Sequence, residues 1–518
     1  MSLEAADEPV NKWFVAVAVA LGALLEVIDT SIVNVALNEM QNSLGATLSQ
    51  ISWVVSSYGV ANVIILPLTA WLGDRFGKKR YFVFSLVAFT LASILCGVST
   101  SLAMLIVARV LQGLGGGGLM AKAQSILFET FPREEQALAQ GFFGAIVIAG
   151  PAIGPTLGGY IVTNMNWRWI FFINVPVGVA GVLLCLAALP KDRVKTGVKG
   201  AVDWLAIGLL AVGLGSLQTV LEEGQSDDWF SSPFIVVFSV FAAAGLSLFV
   251  WRAWYSPDPV VDLRILRYRS MWAGSILSVV IGMGLYGALF SVPIFAQSVL
   301  HYTSQQTGML LLPGAIASAV GMVFASALVK RFDPRVLIVV GGLVIVVSLA
   351  MLTRLTPLMG AEDLFWPLII RAFGTVLMFL PLSMATLGPI PKKEVAAATG
   401  FFSLTRQLGG SAGVAILATV LAQRQAFHRT VLVEKLASWD PKVLERVATL
   451  ASGFARAVDA ATAQARAIRL LDGSVNLQSA VLSFADTFWL TAALFLGTLP
   501  LVLLLGKPPK GVKVSAGH

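Results

Sequence analysis

Long apolar runs fill most of this chain, and each is long enough to cross a lipid bilayer. A spanning helix needs about 20 apolar residues, and we count fourteen such runs. Of the 518 residues, 57% are hydrophobic and 12% are charged, with a mean hydropathy of +0.82, whereas soluble proteins carry about 25% charged residues. The sequence therefore predicts an all-α polytopic membrane protein. The predicted spans are 12–37, 51–72, 80–98, 102–122, 140–163, 168–190, 203–221, 232–252, 271–297, 306–329, 335–353, 364–388, 398–422 and 482–505.

The net charge is +8, and the uneven distribution of the basic residues among the loops indicates the membrane topology. If the N-terminus is cytoplasmic, the loops on that side carry most of the basic residues, including those of 191–200 and 252–269. The opposite short loops carry only Arg168 and Arg354, and the 222–231 loop has four acids and no base. The positive-inside rule then places both termini in the cytoplasm of a plasma or inner membrane. We expect no nucleic-acid partner.

The spans divide into six, two and six. We predict a cytoplasmic N-terminus (1–11), an N-terminal six-helix bundle (12–190), two linker helices with basic flanking loops (191–270), a C-terminal six-helix bundle (271–505) and a cytoplasmic C-terminus (506–518). The first span carries two acids and is about twice the length of a signal-peptide core, so we expect it to remain as a span.

The long connection 423–480 is rich in alanine and is predicted to form helical structure on the outer face. Two interpretations of it stay open. The segment is either an amphipathic helix lying on the membrane surface or a docking element for a partner protein.

Two acids, Glu26 and Asp29, lie in the middle of the first apolar run. A carboxylate at the centre of a membrane helix costs roughly 2.5–3.5 kcal/mol, so such residues usually have a function. Their spacing of three residues puts both on nearly one helix face, where they can share a cavity, a cation or a proton. The alternative is a structural pair neutralised by an arginine.

The fourth span contains Arg109, with Gln112 on the same helix face. A buried guanidinium needs a partner, and the acids of the first span are the obvious candidates. The alternative is that Arg109 extends to the membrane surface. The run Gly113–Gly118 contains a G-x-G-x-x-G match, but it lies in a membrane helix and not after a strand, so it favours close helix packing over nucleotide binding.

Two further motifs have a mechanical interpretation. The loop between spans two and three holds Asp74, Arg75, Gly77 and Lys78, which we interpret as a gating loop or, more simply, as a topology anchor. The fifth span predicts a hinge where helices rock against each other, because glycines four residues apart allow tight packing and prolines favour a bend. A plain kinked helix is the alternative. The predicted hinge residues are Gly150, Gly154, Pro155, Gly158 and Gly159.

Together these elements resemble the major facilitator superfamily, specifically its fourteen-helix drug:proton antiporters of the EmrB/QacA type. The segments that carry the resemblance are 29–37 in the first span, 74–79 in the loop, 109–113 in the fourth span, 150–159 in the fifth and 167–176 in the sixth. Two positions depart from the pattern. Ala70 stands where the loop motif usually begins with glycine, and Glu26 is an additional acid beside Asp29.

The resemblance implies a proton-coupled antiporter that exports hydrophobic or amphipathic small molecules, as in multidrug efflux. A dedicated exporter of one metabolite, lipid or siderophore is the alternative. Glu26, Asp29 and Arg109 are the predicted proton-coupling residues. The expected partners are lipophilic substrates, protons, membrane lipid and, at 423–480, a membrane-fusion protein. We expect no enzymatic activity, cofactor or metal. The predicted substrate-binding residues are Asn34, Tyr58, Asn62, Gln112, Tyr286 and Gln297.

Overall fold

The computed structural model describes residues 11–192, 202–257, 259–436, 440–454 and 457–505. Within these ranges the chain forms helices and no strand, which confirms the all-α fold class. The predicted cytoplasmic termini, apart from Asn11, and most of the basic loop 191–200 lie outside the described residues.

The N-terminal half contains nine helices in its described residues. Local signals set several of their ends: the side chain of Asn11 accepts hydrogen bonds from the first turn of α1, and Thr47 forms a capping box with Gln50 at α2. The helices are α1 (Lys12–Leu44), α2 (Leu48–Ile65), α3 (Thr69–Phe76), α4 (Lys78–Gly97), α5 (Leu102–Gly116), α6 (Leu119–Thr130), α7 (Arg133–Asn164), α8 (Trp169–Phe172) and α9 (Asn174–Ala188).

The remaining helices belong to the linker and the C-terminal half. The linker helices are α10 (Trp204–Glu223) and α11 (Pro233–Tyr255). The C-terminal half contains α12 (Arg269–Ser298), α13 (Ser304–Arg331), α14 (Pro334–Leu352), α15 (Ala361–Leu387), α16 (Val395–Glu434), α17 (Pro441–Phe454) and α18 (Ala460–Thr498).

Thirteen helices in the described residues are long and apolar enough to cross a membrane. The predicted fifth span lies within α7, which is not among these thirteen. The count of fourteen spans and the division into six, two and six therefore stay predictions.

The predicted fourth span is not one continuous helix. It divides into α5 and α6 at the glycine run, where Gly118 has a φ of 73°, a backbone conformation that favours glycine. The same run lets helices approach closely, because a Cβ on Gly113 would lie 2.7 Å from the carbonyl oxygen of Tyr58. The glycines thus serve both a helix break and tight packing.

Helix α7 packs against α1 in its own half and against α13 in the other half. Its predicted hinge glycines make both contacts. A Cβ on Gly154 would overlap the side chain of Ser31, and one on Gly158 would lie 2.8 Å from Ile32 Cγ1. On the opposite side, a Cβ on Gly159 would lie 3.0 Å from the backbone nitrogen of Gln305. The predicted hinge glycines thus lie at the contacts of α7 with both halves, so a movement of one half against the other would change these contacts.

The linker helix α10 packs between the halves, because it contacts α2 on one side and α16 on the other. It ends at Glu223, whereas the sequence placed Glu222 and Glu223 in a loop. That expectation was wrong, since the helix continues two residues beyond the apolar run.

The segment 423–480 is helical in its described residues. Helix α16 continues to Glu434 and α18 begins at Ala460, so both extend well beyond the predicted span ends at 422 and 482. Helix α17 packs against α18. A salt bridge of 2.8 Å between Arg429 and Asp472 joins the two long helices in this extension.

Candidate functional site

Three buried polar side chains form a cluster around Asp29. Arg109 Nη1 donates to Asp29 Oδ2 at 2.5 Å, while the side-chain amides of Gln112 and Asn174 donate to Oδ1 at 3.0 and 2.9 Å. Asp29 is 0% exposed and Arg109 is 1% exposed. Both carboxylate oxygens accept hydrogen bonds, and the positive charge of Arg109 compensates the negative charge of Asp29.

The guanidinium of Arg109 is held on several sides. Its Nε donates to the carbonyl oxygen of Val54 at 2.9 Å, and its Nη1 also donates to Gln112 Oε1 at 2.8 Å. The ring of Tyr58 lies 4.2 Å from the guanidinium carbon, a cation–π distance. Arg109 is therefore bound inside the bundle and does not extend to the membrane surface.

Glu26 takes a different set of partners. Asn62 Nδ2 donates to Oε1 at 2.7 Å, and the backbone N–H of Met120 donates to Oε2 at 2.7 Å. Met120 is in the first turn of α6, so the carboxylate of Glu26 lies against that helix N-terminus, where negative charge is favourable. The two acids of α1 are neighbours in sequence that bind different parts of the N-terminal half.

A cavity of about 250 Å³ lies between the halves, beside this cluster. Its wall is mostly apolar with a few charged groups, which is typical of a small-molecule site. Glu26 contributes to the wall, and Asp29 does not. The polar and charged residues of the wall are Glu26, Thr30, Tyr58, Asn62, Arg109, Glu222, Tyr286, Ser318, Arg371, Thr375, Arg406 and Gln407.

Three of the six predicted substrate-binding residues, Tyr58, Asn62 and Tyr286, line this cavity. The other three lie elsewhere. Gln112 belongs to the Asp29 cluster. Asn34 is exposed and donates to the carbonyl oxygen of Thr30 at 3.2 Å, and Gln297 is exposed near the end of α12. A binding role for any of the six stays a prediction.

Three charged residues that line the cavity were not predicted from the sequence as site residues: Glu222, Arg371 and Arg406. The signal for the two arginines was present, because each lies inside an apolar span as Arg109 does. Glu222 carried no such signal, since it follows the apolar run of its helix directly and looks like the start of a loop.

Asp192, which lies outside the predicted gating loop, holds the backbone at the end of that loop. Asp192 accepts hydrogen bonds from the backbone N–H groups of Lys79 and Arg80 at 2.8 and 3.0 Å, at the N-terminus of α4. Gly77 has a φ of 93°, and a Cβ there would overlap the Asp192 carboxylate.

The other loop side chains point to different neighbours. Lys78 forms a 2.5 Å salt bridge with Glu129, the Arg75 guanidinium lies 5.4 Å from the Trp71 ring, and Asp74 is exposed. The loop thus binds both α6 and the end of the N-terminal half. Gating by it stays a prediction.

Comparison with known proteins decides the family. The model of the Major Facilitator Superfamily matches residues 19–414 of the chain. The chain belongs to the major facilitator superfamily. This major facilitator protein is 34% identical to the multidrug export protein EmrB of Escherichia coli over 503 residues, which cover 97% of this chain and 96% of that protein. It is 31% identical to the fatty acid resistance protein FarB of Neisseria gonorrhoeae, with 96% of each chain covered. The EmrB-type resemblance found in the motifs is confirmed.

Solved structures agree on the fold. The proton:xylose symporter XylE superposes with a TM-score of 0.58 at 12% identity, covering 96% of this chain and 99% of that one. The human organic anion transporter MFSD10 superposes with a TM-score of 0.55 at 13% identity, covering 94% and 100%. At these identities the likeness concerns the major facilitator fold alone.

Proposed function

We propose that this protein is a proton-coupled antiporter that exports hydrophobic or amphipathic small molecules across the membrane. The observation that carries the proposal is the position of Glu26, a membrane-embedded acid that lines a largely apolar cavity beside a second, buried acid paired with an arginine. The similarity to multidrug export proteins over nearly the whole chain supports the same direction of transport.

The two acids have different roles in this proposal. Glu26 faces the cavity, so a proton on it and a substrate beside it compete for the same cavity. Asp29 is enclosed, so a proton on it acts on Arg109: the pair loses its attraction, and a buried guanidinium without a charged partner is costly. Protonation therefore favours a different arrangement of α1 and α5. A ligand shifts that equilibrium only through its different affinity for the two states.

Movement is transmitted through α7 in this proposal. The helix touches α1, which carries both acids, and α13, which belongs to the other half. Its close glycine contacts with Ser31 and Ile32 lie directly after Asp29 in α1. A change at Asp29 thus reaches the interface between the halves through one helix.

The proposed partners follow from the same geometry. Lipophilic substrates enter the apolar cavity, protons bind the acids, and lipid surrounds the spans. The helical extension of α16, α17 and α18 is proposed to meet a membrane-fusion protein on the outer side, with both chain termini in the cytoplasm.

The test is uphill transport by the purified full chain in proteoliposomes. A pH gradient imposed across the membrane is expected to drive accumulation of a lipophilic dye, and a protonophore is expected to collapse it. Dye movement that ignores the pH gradient would contradict proton coupling. Movement coupled only to added ATP would contradict the whole proposal.

A further inference from the structure

The last two residues of the linker helix α10 are glutamates with opposite surroundings. Glu223 is 5% exposed and is turned toward α2, where Ser56 Oγ donates to it at 2.6 Å and Ser52 Oγ at 3.4 Å. Glu222 lines the cavity between the halves. The two residues therefore share a helix end but not an environment.

One oxygen of Glu222 is without a partner. Gln218 Nε2 donates to Oε1 at 2.5 Å and also contacts Ser411 Oγ of α16 at 2.7 Å. The Oε2 atom is shielded from solvent and has no hydrogen-bond partner among the described residues. Leaving such a group uncompensated is unfavourable.

The backbone of α2 makes room for this carboxylate. Gly59 lies directly against it, and a Cβ at that position would come within 2.5 Å of Glu222 Oε1. Any larger residue at 59 would displace the carboxylate from its position in the cavity wall. The position of the Glu222 carboxylate thus depends on the absence of a side chain at Gly59, although the two residues belong to the linker and to the N-terminal half.

The other acids near the cavity are already satisfied. Both oxygens of Glu26 accept hydrogen bonds, from Asn62 and Met120, and both oxygens of Asp29 do so within its cluster. For Glu222, by contrast, the donor to one carboxylate oxygen is the neutral amide of Gln218, and the other oxygen has no hydrogen-bond partner among the described residues. This carboxyl oxygen is therefore available to a ligand, and a cationic ligand would favour the ionised form of Glu222.

We propose that Glu222 is the cation-recognition residue of the cavity and that its ligand is a lipophilic organic cation. A cationic group beside Oε2 would supply the missing partner, and the apolar wall would cover the rest of the molecule. The proposal rests on the proposed function only in taking this cavity as the substrate path. Apolar wall residues include Val55, Ile281, Leu285, Leu311 and Phe495.

Arg406 offers an anionic ligand a complementary group of its own, so the cavity distinguishes cations from anions by different residues. It lies on α16 in the opposite half, lines the same cavity, and its Nη1 atom has no hydrogen-bond partner among the described residues. An anionic ligand finds its complement there and gains nothing from Glu222. Removing the Glu222 charge should therefore weaken cation binding without weakening anion binding, because a like charge in the same cavity can only repel an anion.

The test compares two ions of one shape, tetraphenylphosphonium and tetraphenylborate. Binding to the purified full chain in detergent is measured by calorimetry without a pH gradient. Glu222→Gln is expected to raise the Kd for tetraphenylphosphonium about tenfold and to leave that for tetraphenylborate unchanged or lower. Glu222→Asp, which keeps the charge, is expected to retain most of the cation affinity.

Glu223→Gln is the matched control, because it removes an acid from the same helix end without touching the cavity wall. It is expected to leave both affinities unchanged. Gly59→Ala is the second variant and is expected to weaken only the cation, since it displaces the carboxylate while keeping it. Equal losses in Glu222→Gln and Glu223→Gln would assign the effect to packing of the helix end and overturn the proposal.

Three other results would also overturn it: no tetraphenylphosphonium binding by the wild type, equal loss of both probes in Glu222→Gln, or no loss of either. The outcome is separate from that of the proposed function. Charge-selective binding that depends on Glu222, without transport driven by a pH gradient, would uphold this inference while refuting proton-coupled export.

Discussion

Each half of the molecule buries an arginine beside the central cavity, and the two are held differently. Arg109 in the N-terminal half forms a salt bridge with Asp29 and hydrogen bonds with Gln112 and Val54. Arg406 in the C-terminal half is 4% exposed and lies over the Phe379 ring at 5.2 Å, with no acidic partner among the described residues. Buried charge thus serves two purposes here. The charge of the paired arginine is compensated by Asp29, whereas the unpaired one leaves its charge available to the cavity.

The largest expected difference comes from deleting each arginine in turn. Arg109→Ala leaves Asp29 buried without its cation, which costs about 3–5 kcal/mol, and should abolish uphill efflux. Arg406→Ala leaves no acid unpaired and should cost less than about 2 kcal/mol. Thermal unfolding and pH-driven dye efflux are measured on the same preparations.

Two outcomes would break this comparison. Equal destabilisation by the two variants would show that pairing does not distinguish the arginines. Full uphill efflux by Arg109→Ala would remove Arg109 from coupling. The double variant Asp29→Asn/Arg109→Gln serves as the control, because it should recover part of the stability, since no charge is left unpaired, without recovering transport.

The second prediction separates the two acids of α1. Asp29→Asn and Glu26→Gln should each abolish or strongly reduce uphill efflux with folded protein in the membrane. Asp29→Asn should also lower the free energy of unfolding by at least about 2 kcal/mol, because it leaves Arg109 without its acid, whereas Glu26→Gln should change it by less than about 1 kcal/mol. If Glu26→Gln/Asp29→Asn still concentrates dye in response to a pH gradient, the coupling mechanism is wrong.

The third prediction concerns the α1–α7 contact that would carry movement away from Asp29. Gly154→Leu and Gly158→Leu should reduce the efflux rate at least about tenfold with dye binding largely kept, since the added side chain overlaps Ser31 or Ile32. Gly208→Leu is the matched control, because a Cβ at that position in α10 meets nothing within 4 Å. Normal efflux in the α7 variants would reduce this contact to ordinary packing.

The smallest effect on transport itself is expected far from both arginines, in 423–480. Replacing this segment with a short flexible linker should spare folding and pH-driven transport in isolated vesicles but impair export from intact cells. Removing α17 alone is the milder comparison. Unchanged whole-cell drug resistance after the full replacement would contradict a partner at this site, and a collapse of expression would favour a structural role.

Much of the N-terminal half could be predicted because its motifs are local. The apolar runs predicted the all-α membrane fold, and the motif segments predicted the superfamily that the comparisons confirm. A buried acid and a buried arginine in spans one and four also predicted a pairing, since neither is tolerated alone. The choice of Asp29 over Glu26 did not follow, because both share a helix face and only the positions of Asn62 and Met120 separate their partners.

The sequence by itself determined the all-α membrane fold class, because apolar length and the cost of unpaired backbone groups in lipid leave only helices there. It also determined where helices approach closely, since only glycine leaves that space. The tertiary structure alone decided that Glu222 reaches the cavity past Gly59, that Asp192 organises the loop at Gly77, and that Arg406 has no acidic partner among the described residues. The first two depend on contacts between residues more than 100 positions apart, and the third depends on which side chains the fold brings near Arg406; no local spacing encodes either.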